Sequence, residues 1–169
     1  TCSLDAARQR AALLAAIRLF FAERNVLEVE TPLLCPAGVT DPHLTPFTSQ
    51  YHRPGKAQGV TLYLQTSPEY AMKRLLAAGF GSVYQISKAF RNEESGPQHN
   101  PEFTLLEWYR TGFTLADLMQ EIEGLIQSVF PELPRLADSE RHEYRDIFRQ
   151  HVGIDPIEAG MGDFRRAAV

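Results

Sequence analysis

At 169 residues the chain has room for one domain with a proper core and at most a small second one. Its 44% hydrophobic and 22% charged residues are those of an ordinary soluble globular protein. A net charge of −4, with no basic run, argues against a nucleic-acid-binding surface.

Cys2 and Cys35 are too few for a disulfide framework and lack metal-ligand spacing. They read as free thiols of a reducing cytoplasm. No apolar run is long enough to span a membrane, no signal peptide is evident, and no repeat or low-complexity tract stands out.

In chain order, Ser3 and Asp5 suit a helix start, and Leu13, Leu14, Ile17, Phe20 and Phe21 follow as one apolar stripe. Residues 26–31 read as a strand, with Leu27, Val29 and Thr31 on one side and Glu28 and Glu30 on the other. Pro32 stops it or confines it to a sheet edge. Residues 33–59, rich in Pro, Gly, Thr and His, predict loops and a short hairpin. His43 lies there without a partner cluster at metal spacing, which favours a structural loop histidine over a ligand or base. Residues 60–65 read as a strand. The next helix takes Ser67 as N-cap, Pro68 as first residue and Gly79 as its end, with Met72, Leu75 and Leu76 on its apolar face. Glu69 falls in its first turn, where a carboxylate complements the helix dipole.

Residues 82–90 continue as a strand into Arg91. Arg91 and Glu93, two apart, share a face if that strand continues. Residues 94–101 form a polar loop, with Gly96, Pro97, Asn100 and Pro101 favouring turns. In the strand that follows, Phe103, Leu105, Glu107 and Tyr109 share one face, and Thr104, Leu106 and Trp108 the other. An arginine, two carboxylates, a ring and a phenol thus stand above one patch of sheet. The guanidinium can grip a phosphate, the ring can stack on a base, and the acids can hold an amine. Taken alone, the same residues also fit the wet face of a half-covered antiparallel sheet. Further on, Thr114 and Asp117 form a capping arrangement before a core-facing helix of Leu115, Leu118, Met119, Ile122, Leu125, Ile126 and Val129, ended by Pro131 and Pro134. Another helix is expected near residues 144–151, stopped at Gly153. His142, His151, Arg165 and Arg166 read as solvated surface groups.

FRNE, a loop closing in HNPEFT, and the acidic and aromatic strand after it resemble motif 2 of the class II aminoacyl-tRNA synthetases, in the lysine-type branch. The long helix followed by LEVETP resembles motif 1, at about residues 4–32, which implies a homodimer interface. SPE at positions 67–69 matches the lysine-type APE/SPE motif. TDPHLTPF, LQTSPEYAMKRLLAAG and GIDP are similar to the lysine ligases of elongation factor P, synthetase paralogues that attach lysine, preferably (R)-β-lysine, to that factor. The resemblance implies an α+β fold, an antiparallel sheet flanked by helices, and one partial class II catalytic domain over residues 1–169 with motif 2 at about 82–110. The lack of a GxGxxG or GxxxxGK loop agrees. Motif 3 is absent before Val169, so the expectation is a fragment that is inactive alone. With motif 1 so near the start, the expectation is a chain without an anticodon-binding domain.

The resemblance also implies chemistry. ATP and an amino acid give an aminoacyl-adenylate and pyrophosphate, and the aminoacyl group then passes to an amine. Arg91, the catalytic residue, would bind the α-phosphate and the attacking carboxylate. The ATP site would comprise Arg91, Asn92, Glu93, His99, Asn100 and Phe103, with Glu93 on the adenine amino group, Phe103 stacked on the ring and His99 towards the terminal phosphates. Mg²⁺ would offset the pyrophosphate charge, with no certain metal ligand in this chain. Ser67, Pro68, Glu69, Glu107 and Tyr109 would bind substrate: Glu69 the amino group, Glu107 the amine or Mg²⁺, Tyr109 the side-chain amine. The implied partners are elongation factor P, lysine or β-lysine and a second copy of the chain, without tRNA or membrane. A lysyl-tRNA synthetase fragment and a non-catalytic dimeric binding module are the alternatives. The joint presence of Glu69, Arg91, Glu93, Phe103 and Tyr109 weighs against the second.

Overall fold

The computed structural model describes residues 3–93, 96–133 and 139–168, so the expectations for Cys2 and Pro134 lie outside the described residues. The chain packs as two compact units, Thr1–Pro131 and Glu132–Val169. The first runs α1 (Leu4–Ala22), β1 (Leu27–Glu28), β2 (Leu34–Cys35), β3 (Thr48–Tyr51), β4 (Val60–Leu64), α2 (Glu69–Ala77), β5 (Val83–Phe90), β6 (Glu102–Tyr109) and α3 (Leu115–Val129). One three-stranded sheet has the order β1–β5–β6 and another the order β2–β4–β3.

Ser3 caps α1 as its sequence suggests, accepting the Ala6 N–H at 3.1 Å. The stripe of α1 ends in Phe20 and Phe21, both buried. Phe21 stacks on Tyr84 at 4.5 Å and tilts against Trp108 at 5.6 Å. Val26 and Leu125 complete this core, with Ile86 and Leu106 packed against it. Burying one such phenylalanine contributes about 1.5–3 kcal/mol. The Tyr84 hydroxyl donates to Glu28 Oε2 at 2.9 Å. Burial and that carboxylate push its pKa up to about 12.

The expected strand over 26–31 shrinks to Leu27–Glu28, and it pairs parallel with β5. The antiparallel sheet anticipated from the motifs therefore has one parallel edge. Val29 N–H still reaches the Tyr84 carbonyl at 2.9 Å. Beyond it the Thr31 hydroxyl turns to Gln85 Oε1 at 3.0 Å, and Pro32 has no N–H with which to extend the ladder. The short hairpin is β3–β4, from the Thr48–Tyr63 pair to the Tyr51–Val60 pair.

The capping box of α3 forms as read: Asp117 N–H donates to Thr114 Oγ1 at 3.2 Å, and Thr114 N–H to Asp117 Oδ2 at 2.8 Å. Its apolar stripe is only partly a core face. Leu125 is buried, but Leu115 is 70% exposed, and a carboxylate, Glu121, is buried. Thr114→Ala should cost about 1 kcal/mol in urea denaturation. The Thr114 hydrogen bonds hold the Asp117 carboxyl below its usual range. A folded-state pKa lowered in this way stabilises above the unfolded value, about 3.9, and that stability is lost as pH falls through the folded one. The gap between wild type and Thr114→Ala should therefore narrow below about pH 4.

In the second unit, α4 (Tyr144–Val152) stops at Gly153 as its sequence suggests, and the glycine is left-handed there, with φ 78°. A further helix, α5 (Met161–Ala167), was not legible in the weakly patterned end. Phe148 meets Phe164 edge-on at 6.1 Å. Asp155 accepts from Arg145 Nε at 2.9 Å, from Arg149 and from the Ile157 N–H, so its carboxyl lies well below the usual range. His151, Arg165 and Arg166 are exposed, and His142 sits 3.0 Å from exposed Glu140. Among the described residues no helix is long and apolar enough to cross a membrane.

Candidate active site

The β5–β6 register sets Val83 against Tyr109, Gln85 against Glu107, Ser87 against Leu105 and Ala89 against Phe103. Alternation puts Tyr84, Ile86, Leu106 and Trp108 on the opposite face, and those side chains make the core with α1 and α3. The Glu107 and Tyr109 face looks instead towards the N-terminus of α2, where Ser67 Oγ–H donates to Glu107 Oε1 at 2.5 Å. Tyr109 O–H donates to Glu107 Oε2 at 3.1 Å. Ser67 Oγ in turn accepts the Glu69 N–H at 3.1 Å. Burial first, and the Glu107 carboxylate second, raise the Tyr109 pKa, so the phenol remains a proton donor well above the ordinary tyrosine range.

Arg91 extends this face past the end of β5. Its guanidinium carbon lies 5.2 Å from the centroid of the Phe103 ring, and its Nε donates to the Thr66 carbonyl over a long 3.5 Å. Thr66 adjoins Ser67, so the cation and ring on one side and the carboxylates on the other meet at a single turn. A cavity of about 600 Å³ opens beside it, lined among others by Cys35, Leu64, Thr66, Ser67, Glu69 and Tyr70. That is ample for a small ligand. It borders the cluster only at the α2 end, since Arg91, Phe103, Glu107 and Tyr109 are not among its walls.

Several expected placements change. β5 stops at Phe90, and Glu93 has φ 66°, so Arg91 and Glu93 do not alternate along one strand. Asn92 N–H donates to the Thr45 carbonyl at 2.8 Å, and Glu93 Oε2 accepts from Thr45 Oγ1 at 3.2 Å, which draws this turn towards the 40s loop. Ser67 is not the N-cap. α2 begins at Glu69 with Pro68 as cap, because the first helical bond is Met72 N–H to the Pro68 carbonyl. The Pro68 side chain is fully buried. His99 and Asn100 are exposed on the loop, where His99 N–H closes a turn on the Gly96 carbonyl at 3.1 Å. His43 is an exposed loop residue whose N–H donates to Asp41 Oδ1. The described residues hold no cluster of three His, Cys, Asp or Glu fit for a metal ion.

Two further residues join the site. Lys73 Nζ donates to Glu69 Oε1 at 2.5 Å, a contact signalled by the Glu-to-Lys spacing of four on a helix. Gln85 is 1% exposed, and its Nε2 has no hydrogen-bond partner among the described residues. The signal for Gln85 was its parity with Arg91 along β5.

The family described as tRNA synthetases class II (D, K and N) matches residues 3–159. The chain belongs to this class II synthetase family. Among curated relatives, the elongation factor P–(R)-β-lysine ligase of Yersinia enterocolitica is 53% identical over 160 residues, covering 95% of this chain and 48% of that one. The proteins of the same name from Pseudoalteromonas translucida and Vibrio cholerae are each 52% identical over 168 residues, covering 99% of this chain and 51% of theirs. The chain thus spans about half the length of the curated relatives it matches. Within this chain, the segment that resembles motif 2 includes β5 and β6, and the segment that resembles motif 1 includes α1 and β1.

Proposed function

We propose that the full-length protein is an ATP-dependent ligase that activates lysine or (R)-β-lysine as the adenylate and transfers it to a lysine side chain of elongation factor P. The observation that carries this reading is one sheet face that presents Phe103, with the Arg91 guanidinium beside it, and Glu107, which accepts from Tyr109 and from Ser67 before α2. The naming of the relatives supplies the acceptor.

On this reading the substrate carboxylate attacks the α-phosphorus of ATP and pyrophosphate leaves. Arg91 bridges two anions that otherwise repel each other, and Phe103, already under the guanidinium, carries the adenine. Asn92, Glu93, His99 and Asn100 close over the nucleotide. Glu69 and Glu107 take the ammonium groups, and Tyr109 and Ser67 fix the rotamer of Glu107 through its two oxygens. An acceptor amine then attacks the carbonyl carbon, AMP leaves and the amine loses a proton. Positioning and charge neutralisation do the chemistry. Mg²⁺ bound with ATP would offset the charge of its phosphates. Exposed Leu19 and Leu27, on α1 and β1, suit a homodimer interface. A cytoplasmic location fits this substrate set.

The test is direct. Full-length protein with ATP and (R)-β-lysine should add one β-lysyl group to elongation factor P, read by intact mass, while lysine tRNA stays uncharged. Charging of the tRNA with no modified factor would replace this reading with a lysyl-tRNA synthetase.

A further inference from the structure

Of the two carboxylates read as amine acceptors, Glu107 spends both oxygens on hydroxyl donors, Ser67 and Tyr109. Glu69 is the one that holds a cation, and the cation belongs to the chain itself. Lys73 stands one helical turn after Glu69, with its Nζ 2.5 Å from Oε1. The order Glu then Lys at a spacing of four is the favourable one on a helix. We propose that Lys73 is an internal competitor for the amine site: its ammonium holds Glu69 until the substrate ammonium takes its place. The proposal rests on the reading of Glu69 as the amine acceptor.

The geometry favours exchange over a permanent clamp. The two side chains are 56% and 46% exposed, so water can solvate a released ammonium. Exposed helix pairs of this spacing are weak, so the displacement is easy. The Glu69 hydrogen bond raises the Lys73 pKa, and the lysine stays charged wherever a substrate amine is charged. Such a competitor keeps the carboxylate neutralised and oriented between turnovers. It also sets the substrate concentration at which the site fills, without entering the chemical step.

In amino-acid-dependent ATP–pyrophosphate exchange by the full-length protein, Lys73→Met should lower the amino-acid KM about two- to threefold, with kcat held. Lys73→Arg, which keeps the cation, should stay near wild type. With Glu69→Gln in the background, where KM is already raised, Lys73→Met should change nothing further. If Glu69→Gln raises KM but Lys73→Met leaves it unchanged or raises it, the competitor is overturned and the role of Glu69 stands. If Glu69→Gln leaves KM untouched, the reading of Glu69 falls, and the competitor with it.

Discussion

Arg91→Ala in the full-length protein should lower ATP–pyrophosphate exchange by about 10²–10³-fold, the loss typical of removing one preorganised charge-stabilising donor. The effect belongs in kcat more than in KM, because the guanidinium is matched to charge that develops as carboxylate and α-phosphate close on each other. Folding should survive. Arg91 lies past the end of β5, half-buried, and its bond to the Thr66 carbonyl is long at 3.5 Å. The core around Phe21, Tyr84 and Trp108 lies on the opposite face of the sheet. A circular-dichroism melt of the variant should therefore overlay that of wild type within a few degrees. Arg91→Lys should recover little, since an ammonium cannot span two anions as a planar fork does. Exchange near the wild-type rate in Arg91→Ala would remove Arg91 from the reaction, and with it the proposed mechanism.

The site was legible where its signal was parity. Phe103, Glu107 and Tyr109 share a face in the sequence and in the register, because a strand buried on one side must alternate. Parity failed at Glu93, because β5 ends at Phe90 and the chain turns through a left-handed residue at position 93. A single sequence does not reveal that Asn92 will bridge to Thr45, a contact across 47 positions that only tertiary packing sets. The short, parallel β1 was missed for a related reason. Its length depends on where Thr31 leaves the sheet edge for Gln85, not on the propensity of LEVET. In α3 the apolar period pointed to the helix and Thr114 and Asp117 to its cap, but the period could not tell which side would be covered. Leu115 stayed exposed while Glu121 went inside.

Glu121 carries the largest stability prediction. Its side chain is 5% exposed and Arg110 beside it 12%, with Arg110 Nε 3.2 Å from Glu121 Oε1. Trp108 Nε1–H donates to the other oxygen at 3.1 Å. The Arg110 Nε–H is misaligned for a hydrogen bond despite that distance, so attraction of charges and the Trp108 bond do the holding. An exposed pair would be worth about 0.2–1 kcal/mol, and its loss would barely register. Here burial decides. Glu121→Ala leaves an arginine and an indole N–H without their acceptor inside the α3–β6 contact, and should cost about 3–5 kcal/mol in urea denaturation. That is a large share of a typical stability of about 5–15 kcal/mol. Glu121→Gln keeps an acceptor for Trp108 and loses only the charge, so its cost should fall well below that of alanine. Arg110 also lies over the Phe113 ring at 4.2 Å, which fixes the guanidinium and limits its escape to water. A loss under about 1 kcal/mol for Glu121→Ala would mean that Arg110 does escape, and the pair would then be a surface pair in energy whatever its burial.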